Sequence, residues 1–305
     1  MDNEAATRRS RAQAPRTYRF APSPNGYLHR GHAYSALLNS RAAAATGGRF
    51  LLRIEDIDQS RARPRFEAAI FEDLAWLGLR WENPVLRQSE RFGVYREALA
   101  TLDRFGLVYP AFLSRAETAR MVAEAEQGGA VWPRDPDGAP LYPRRERSWS
   151  TARRRAATDG AADHALRLDM ARALEGAGPL SWDEAETLGA AAGAARPAHP
   201  AAWGDVVLGR KDSPASYHIA VVVDDAAQGV TDVVRGKDLE PATAVHRLLQ
   251  TLLGLPEPRY FHHRLILDET GSKLSTSRGS ETTRARRDRG ESPEELIAGL
   301  GPPFG

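Results

Sequence analysis

The segment YRFAPSPNGYLHRGH, residues Tyr18 to His32, contains the clearest structural pattern of the chain. Its first residues, Tyr18–Phe20, have the composition of a strand end. Pro22–Gly26 then predicts a turn, because proline fixes φ while asparagine and glycine tolerate positive φ. The residues His29–His32 open an Ala/Leu-rich helical run that stops at Gly47–Gly48. The stretch therefore predicts a strand, a tight loop and a helix N-terminus in succession.

Such a loop at a helix N-terminus predicts an anion site, because the first amides of a helix have no partner within it. His29 and His32 could donate to phosphate oxygens, and Gly31 leaves room for a flat group to lie against the backbone. A solvated helix start that happens to contain two histidines is the commoner origin of an isolated HxGH. The function of this motif therefore depends on the rest of the chain.

Composition sets wide bounds on the rest of the chain. A length of 305 residues suits two domains, or one α/β domain with an insertion. Forty-two basic and 40 acidic residues give a net charge of only +2, so bulk charge does not indicate nucleic acid. The absence of cysteine excludes disulfides and thiolate metal sites. Without a long apolar run or a signal-peptide core, we expect a cytoplasmic protein that does not enter a membrane, with residues 1–16 as a disordered basic tail.

Two arginine runs could follow a phosphate backbone, although solvated arginines are an equally good interpretation of each run. The first run comprises Arg144, Arg145, Arg147, Arg153, Arg154 and Arg155, and the second comprises Arg284, Arg286, Arg287 and Arg289.

The segment after the first helix continues the α/β pattern. Arg49–Ile54 predicts a buried strand, and Glu55–Asp58 follows at its carboxyl end, where open α/β sheets bind ligands. A cap at Asp58 and a surface ion pair at Glu55 are the alternative roles. Amphipathic patterns predict one helix that starts at Pro64 and a second that follows Ser89.

The second half of the chain falls into two parts. Residues 111–203 have poor periodicity and predict an inserted module, with a possible strand over 163–169 and a short element that begins at Ser181. From 204 onward the pattern predicts strands over 217–225 and 228–236, a helix over 241–253 and a further strand from Tyr260. A polar loop with Lys273 follows, and a short helix is predicted near Ser292.

Five segments together resemble the glutamyl/glutaminyl branch of the class I aminoacyl-tRNA synthetases: PSPNGYLHRGH, LLRIEDID, SYHIAVVVDD, GVTDVVRG and KLSTS. The resemblance implies an α/β fold, with a Rossmann-type parallel sheet split by an inserted module that resembles an acceptor-binding module. We accordingly expect a tail over 1–16, the two halves of the catalytic domain over 17–110 and 204–283, the inserted module over 111–203, and a short tail or helix over 284–305. Fewer than thirty residues follow Ser277, so we expect no anticodon-binding domain.

The resemblance also implies a reaction and the residues that perform it: L-glutamate is activated by ATP with Mg²⁺. The implied catalytic residues are His29, His32, Lys273 and Ser275. The implied ATP contacts are Pro22, Gly31, His29, His32, Lys273 and Thr276. The implied glutamate contacts are Arg19, Ser23, Glu55, Tyr217 and Arg235. The physics agrees for glutamate, because guanidinium groups bind carboxylates bidentately and Glu55 can pair with the ammonium.

Two departures from the family pattern bear on activity. Thr276 stands where the family has a second lysine, so the loop lacks one positive charge. In short relatives, two cysteines, a tyrosine and a third cysteine hold zinc. The corresponding positions here look like Ala111, Leu113, Tyr142 and Glu146, of which only Tyr142 and Glu146 could ligate a metal. Zinc needs about four donors. We therefore expect that zinc is absent and that apolar packing or nothing replaces it.

The acceptor follows from the family. Its short stand-alone members attach glutamate to queuosine in the anticodon of tRNA(Asp), so we expect L-glutamate, ATP and that tRNA as partners of a monomer. A truncated glutamyl-tRNA synthetase that charges tRNA(Glu) and a non-catalytic paralogue remain alternatives. A structural ion pair at Arg235 would weaken the assignment to glutamate.

Overall fold

The computed structural model describes residues 15–159, 164–210, 213–274 and 279–304. The described strands, in chain order, are β1 (Thr17–Phe20), β2 (Arg49–Ile54), β3 (Glu82–Arg87), β4 (Val108–Ala111), β5 (Ala165–Leu168), β6 (Ser181–Ala185), β7 (Gly193–Pro197), β8 (Val207–Arg210), β9 (Asp232–Gly236) and β10 (Arg259–His263).

The described α-helices, in chain order, are α1 (Arg30–Thr46), α2 (Pro64–Trp76), α3 (Phe92–Arg104), α4 (Arg115–Gln127), α5 (Thr151–Asp159), α6 (Met170–Glu175), α7 (Tyr217–Ala227), α8 (Thr243–Leu253), α9 (Thr283–Asp288) and α10 (Pro293–Ala298). None of these helices is both long and apolar enough to span a bilayer.

The main sheet has seven strands in the order β3-β2-β1-β9-β10-β6-β7. Every neighbouring pair is parallel except β6 with β7. This mixed α/β architecture confirms the predicted fold class. The two halves of the chain meet where β1 pairs with β9, with Tyr18 opposite Asp232. The loops that follow β1 and β9 are therefore brought to the same edge of the sheet.

The segment 217–225 is a helix, α7, so the predicted strand there was wrong. Ile219 to Asp225 are all buried, so the sequence has no polar face from which the helical period could be recognised. Its β-branched residues resemble a buried parallel strand for the same reason. The change matters for the site, because the helix places Tyr217 at its N-terminus and Asp225 two turns further along.

The boundary of the inserted module also differs from the expectation. A separate antiparallel sheet, β4-β5-β8, takes its middle strand from within residues 111–203 and its outer strands from the two flanks, because β4 ends at Ala111 and β8 begins at Val207. The strands β6 and β7, however, join the main sheet through β10. The short element that begins at Ser181 therefore belongs to the catalytic sheet rather than to the module.

The two larger of the four apolar clusters in the described residues hold these layers together. The first packs α1 and α2 against β1 and β2. The second is shared between α3, α7 and α8 and the small sheet, with Tyr95, Leu168, Leu208 and Leu248 all buried. A buried carboxylate, Asp224 of α7, joins the same layers because it accepts hydrogen bonds from Gln88 and Tyr95. The module is thus anchored on the helices of the catalytic domain.

Residues 1–14 of the predicted basic tail lie outside the described residues, whereas Arg16 is paired with Asp232 of β9. The arginines of the second run all pair with carboxylates, among them Glu72, Asp73, Glu281 and Glu291. This pairing favours a structural role for that run over a phosphate-binding role. The helix predicted near Ser292 is confirmed as α10, with a capping box between Ser292 and Glu295.

Candidate active site

A cavity of about 650 Å³ lies at the carboxyl ends of β1, β2, β9 and β10. Open parallel sheets bind ligands at this edge, because loops from neighbouring strands converge there. Every predicted site residue that the structure describes lines it: Arg19, Pro22, Ser23, His29, Gly31, His32, Glu55, Tyr217, Arg235 and Lys273. Ser275 and Thr276 lie outside the described residues.

The two histidines cap α1 by themselves. Nδ1 of His29 accepts a hydrogen bond of 3.1 Å from the backbone N–H of Gly31, and the backbone N–H of His29 donates to Nδ1 of His32 over 3.2 Å. This is the reciprocal arrangement of a capping box, with imidazoles in place of hydroxyl and carboxylate groups. The rings are stacked with their centroids 3.8 Å apart. The cap therefore fixes the orientation of both rings.

These hydrogen bonds also determine where the ring protons lie. A backbone N–H can only donate, so each Nδ1 must be an unprotonated acceptor and each Nε2 carries the proton. Burial lowers the pKa of His29 to about 4 and the pKa of His32 to about 3, with Lys273 acting in the same direction. At neutral pH both rings are uncharged and offer an N–H donor, which suits phosphate oxygens.

Gly31 is required by the close approach of the His29 ring. A Cβ at this position would lie 3.0 Å from Cε1 and 3.1 Å from Nδ1 of His29. Any side chain would therefore displace the ring that caps the helix.

The central cation of the cavity is Arg235, at 4 % exposure. Its guanidinium donates to the hydroxyl oxygens of Tyr217 (3.2 Å) and Thr243 (2.6 Å), the carbonyl of Leu239 (3.1 Å) and Nε2 of His262 (3.2 Å). Nδ1 of His246 lies 3.2 Å from the same guanidinium. Within the described part of the chain, no carboxylate lies within ion-pair distance of Arg235. Its positive charge therefore remains available to an anion that enters the cavity.

Arg19 is engaged differently. Its guanidinium makes a bidentate pair with Asp225, at 3.0 and 3.3 Å. Arg53, which is fully buried, donates to the same carboxylate over 2.7 Å and to Glu55 over 3.2 Å. Although burial raises the pKa of Asp225, the two guanidinium groups lower it to a value below the usual range. Asp225 is thus ionised and fixes Arg19 in the wall of the cavity.

Arg53 and Asp225 were missed as parts of the site. The sequence does contain a signal for this pair: Arg53 lies in the middle of an apolar strand, and a buried arginine needs an acidic partner. The partner could not be identified while 217–225 was interpreted as a strand.

The charges of this cluster complement a glutamate molecule. Arg19, Arg53 and Arg235 carry three positive charges, and Asp225 and Glu55 carry two negative charges when both are ionised. Burial raises the pKa of Glu55, while Arg53 and Arg19 oppose the rise. The cluster then has one net positive charge, centred on Arg235, whereas glutamate has one net negative charge from two carboxylates and one ammonium.

Lys273 lies at the far wall of the cavity. Its ammonium pairs with Asp238, which also lines the cavity. Asp268 shapes the loop before it, because one carboxylate oxygen accepts from the backbone N–H groups of Thr270 and Ser272. The Lys273 side chain is about half exposed and lines the same cavity as His29 and His32.

The positions that hold zinc in short relatives form a packed cluster. Ala111 and Tyr142 are buried together with Tyr109, and Leu113 packs against them. The fully buried carboxylate of Glu146 accepts from the hydroxyl of Tyr142 (2.8 Å) and the backbone N–H of Phe112 (3.2 Å). Apolar packing therefore occupies this place as expected, with a hydrogen-bonded carboxylate in addition. An alanine and a leucine cannot ligate zinc, so the residues do not fit that metal.

A second cavity of about 650 Å³ adjoins the first and lies between the main sheet and the module. Ser23, Asn25, Glu55, Arg61 and Tyr217 line both cavities. Further wall residues include Tyr142, Arg167, Trp203, Asp205, Arg210 and His218. Two connected cavities of this size can hold an activated acyl group and a separate acceptor.

Comparisons with known proteins agree with this geometry. Residues 16–302 match the family described as "tRNA synthetases class I (E and Q), catalytic domain". The chain is 46 % identical over 285 residues to a glutamyl-Q tRNA(Asp) synthetase of Rhodobacter capsulatus, covering 91 % of this chain and 97 % of that protein. It is 34 % identical over 279 residues to a glutamate–tRNA ligase of Aquifex aeolicus, covering 92 % of this chain and 55 % of that protein.

Among solved structures, the glutamate-tRNA synthetase of Elizabethkingia anophelis superposes with a TM-score of 0.71 at 28 % identity, covering 87 % of this chain and 53 % of that chain. The chain thus spans about half the length of the glutamate-tRNA synthetases that it matches. The site at the sheet edge and the family match agree, and this chain belongs to the class I glutamyl- and glutaminyl-tRNA synthetase catalytic-domain family, as a ligase of the aminoacyl-tRNA synthetase type.

Proposed function

We propose that this protein activates L-glutamate with ATP and transfers the glutamyl group to queuosine in the anticodon of tRNA(Asp). The single observation that carries the amino-acid assignment is the buried guanidinium of Arg235, whose partners in the described residues are all uncharged. A carboxylate on the substrate side chain supplies the missing counter-charge. An uncharged side chain such as that of glutamine leaves the guanidinium uncompensated.

In the first step, an α-carboxylate oxygen of glutamate attacks the α-phosphorus of ATP. The bond from that phosphorus to the bridging oxygen breaks, giving glutamyl-adenylate and pyrophosphate. A carboxylate is already a nucleophile at neutral pH, so no general base is needed, and positioning and charge stabilisation do the catalysis. Mg²⁺ enters with ATP and neutralises phosphate charge.

We assign the phosphate contacts to His29 and His32, which donate as neutral imidazoles, and to Lys273, which neutralises the leaving pyrophosphate. Gly31 forms the surface for the adenosine, together with Pro22. Glu55 pairs with the substrate ammonium, while Arg19, Ser23 and Tyr217 complete the glutamate pocket. Ser275 and Thr276 belong to the same loop as Lys273 and are assigned to the triphosphate by the resemblance alone.

In the second step, a hydroxyl of the acceptor attacks the carbonyl carbon of the adenylate, AMP leaves, and the hydroxyl proton passes to the departing phosphate or to solvent. The second cavity opens beside the glutamate pocket and provides a place for the acceptor nucleoside. The choice of queuosine rests on the name of the Rhodobacter capsulatus relative, which matches nearly end to end.

A second candidate is the charging of tRNA(Glu) at its 3′ end, which the match to a glutamate–tRNA ligase favours. Transfer of labelled glutamate distinguishes the two. The substrates are tRNA(Asp) with queuosine, the same tRNA without queuosine, and tRNA(Glu). Label on queuosine-containing tRNA(Asp) only supports the proposal. Label on tRNA(Glu) only would replace it by the second candidate, and no label with folded protein would indicate a non-catalytic paralogue.

A further inference from the structure

Arg235 is connected to a carboxylate, Glu184, through one imidazole ring. His262, whose side chain is 1 % exposed, accepts from Nε of Arg235 through its Nε2 over 3.2 Å. Its other ring nitrogen, Nδ1, lies 2.8 Å from a carboxylate oxygen of Glu184. Arg235, His262 and Glu184 therefore form a chain from the cavity into the sheet.

The direction of the hydrogen bonds in this chain is fixed by chemistry. A guanidinium has no acceptor, so Nε2 of His262 must be unprotonated. The ring is then neutral with its proton on Nδ1, and that N–H donates to Glu184. Arg235 thus meets a neutral acceptor, while the negative charge of Glu184 lies one ring further away.

Glu184 is suited to this place because all its neighbours donate. One oxygen accepts from the backbone N–H of His262 over 2.8 Å. The other accepts from Nδ1 of His262 and from the indole N–H of Trp182, each over 2.8 Å. Three donors require a group that only accepts, which is a carboxylate and not an amide.

The position of Glu184 follows from the pairing of β6 with β10, in which Glu184 lies opposite Tyr260. The register places its carboxylate beside the backbone of His262, two residues along β10. This strand was not expected to belong to the catalytic sheet, and no role for Glu184 follows from the motifs near the substrate.

We propose that Glu184 is a positioning residue that sets the tautomer of His262, and thereby fixes the guanidinium of Arg235 for the side-chain carboxylate of the substrate. This inference rests on the proposed function, because it requires that Arg235 bind glutamate. Glu184 does not contact the substrate; it acts on specificity through His262.

The decisive variant is Glu184→Gln, which keeps the size of the side chain and adds an N–H₂ donor. Whichever way the amide is turned, it faces at least one donor. An amide nitrogen that faces Nδ1 of His262 drives the ring to its other tautomer, whose Nε2–H then opposes the Nε–H of Arg235. An amide nitrogen that faces the backbone N–H of His262 keeps the tautomer but repels that N–H, and either orientation removes the negative charge that strengthens Nε2 as an acceptor. We expect KM for glutamate to rise about tenfold or more, and the preference for glutamate over glutamine to fall by a similar factor. We expect KM for ATP to change by less than about twofold, since the phosphate site is separate.

The matched control is Glu186→Gln, the same substitution at an exposed position two residues further along. Glu186→Gln should leave KM for glutamate and KM for ATP unchanged. Glu184→Asp keeps a carboxylate, which only accepts hydrogen bonds, so this variant should retain most of the preference for glutamate over glutamine.

The experiment is glutamate-dependent ATP–pyrophosphate exchange with the full chain and these three variants. If the unaltered protein is active and Glu184→Gln has the same KM for glutamate and the same preference over glutamine, this inference is overturned. The proposed function would remain intact. Silence of the unaltered protein would instead refute the proposed function. Should Glu184→Gln not fold, ¹⁵N NMR of histidine-labelled unaltered protein decides: His262 protonated on Nδ1 supports the inference, and His262 protonated on Nε2 refutes it.

Discussion

Neighbouring side chains divide the arginines in and behind the wall of the first cavity into two kinds. Arg19 and Arg53 share Asp225 and have little attraction left for an added anion. Arg235 is held by neutral oxygens and nitrogens and keeps its charge. Such a buried cation is costly in the empty protein, because desolvation is not offset by an adjacent counter-charge. A ligand carboxylate would supply the counter-charge, so the buried guanidinium should favour a negatively charged ligand over a neutral one.

A first prediction concerns Arg235→Lys, which keeps the charge but removes the planar fork that contacts Tyr217, Thr243 and His262. We expect KM for glutamate to rise about 10- to 100-fold, because one ammonium cannot replace several charge-assisted hydrogen bonds. Steady-state exchange kinetics would measure this. Arg259→Lys, at an arginine paired with Asp232 outside the cavity, serves as the control. Equal constants for Arg235→Lys and the unaltered protein would contradict the assignment.

At the scale of elements, the N-terminus of α1 is the part whose local sequence explains its geometry most fully. The imidazole of His29 closes the first turn and Gly31 leaves space for it. Because the proposed function assigns the phosphates of ATP to the same two histidines, a change that is harmless to the helix should still damage ATP binding.

A second prediction separates these two roles through Gly31→Ala. Alanine favours an α-helix over glycine by about 0.8–1 kcal/mol, which offsets the strain of its contact with the ring of His29. We expect an almost unchanged melting temperature and a rise of about tenfold or more in KM for ATP, because the ring is displaced. Gly93→Ala is the matched control, since a Cβ at this helical glycine meets no atom within 4 Å. A wild-type KM for ATP in Gly31→Ala would refute the role of the ring.

A third prediction concerns the contact between α2 and α9. Asp73 of α2 has a fully buried side chain, 3.3 Å from the guanidinium of Arg287. Burial raises its pKa from 3.8 to about 6, against the attraction of Arg287 and Arg284. Since the pKa of Asp73 is higher in the folded protein than in the unfolded chain, folding takes up a proton between about pH 4 and pH 6. The contribution of Asp73 to stability thus rises as pH falls through about 6 and levels off below about 4.

The test is Asp73→Asn, with urea unfolding followed at pH 7.5 and pH 5. We expect the variant to be more stable than the unaltered protein by about 1–3 kcal/mol at pH 7.5, and the difference to shrink at pH 5. Asp288→Asn, at an exposed carboxylate of α9, should show no such change. If Asp73→Asn were destabilised equally at both pH values, the ion pair of Asp73 with Arg287 would outweigh the cost of burying the carboxylate.

Local sequence was sufficient for elements with a start signal, a stop signal and a polar face. The first helix, from the cap at His29 to Gly47, is an example, as is the helix that starts at Pro64. Local sequence was not sufficient for α7, which is buried on every side. It was also not sufficient for β6, because the place of this strand depends on pairing with β10, some 80 residues away. Partners such as Asp225 and Glu184 could not be predicted, because long-range pairing brings them to the site.

In the whole molecule, the two cavities belong to one continuous structure. The core shared by α3, α7, α8 and the small sheet fixes the module relative to the main sheet. Tyr217 begins α7 at the boundary between the two cavities and lines both. Motifs were sufficient to predict the residues that line the first cavity, whereas the second cavity depends on how two distant parts of the chain pack together, which no local pattern records.

The decisive experiment for activation of glutamate is ATP–pyrophosphate exchange by the full chain without any tRNA, with glutamate, glutamine and aspartate compared at equal concentration. We predict exchange with glutamate, and far less with glutamine or aspartate, because the proposed pocket requires a side-chain carboxylate of that length to neutralise Arg235. Exchange that appears only when tRNA is added would favour the charging enzyme. Exchange equally fast with glutamine, or none under any condition with folded protein, would contradict the account.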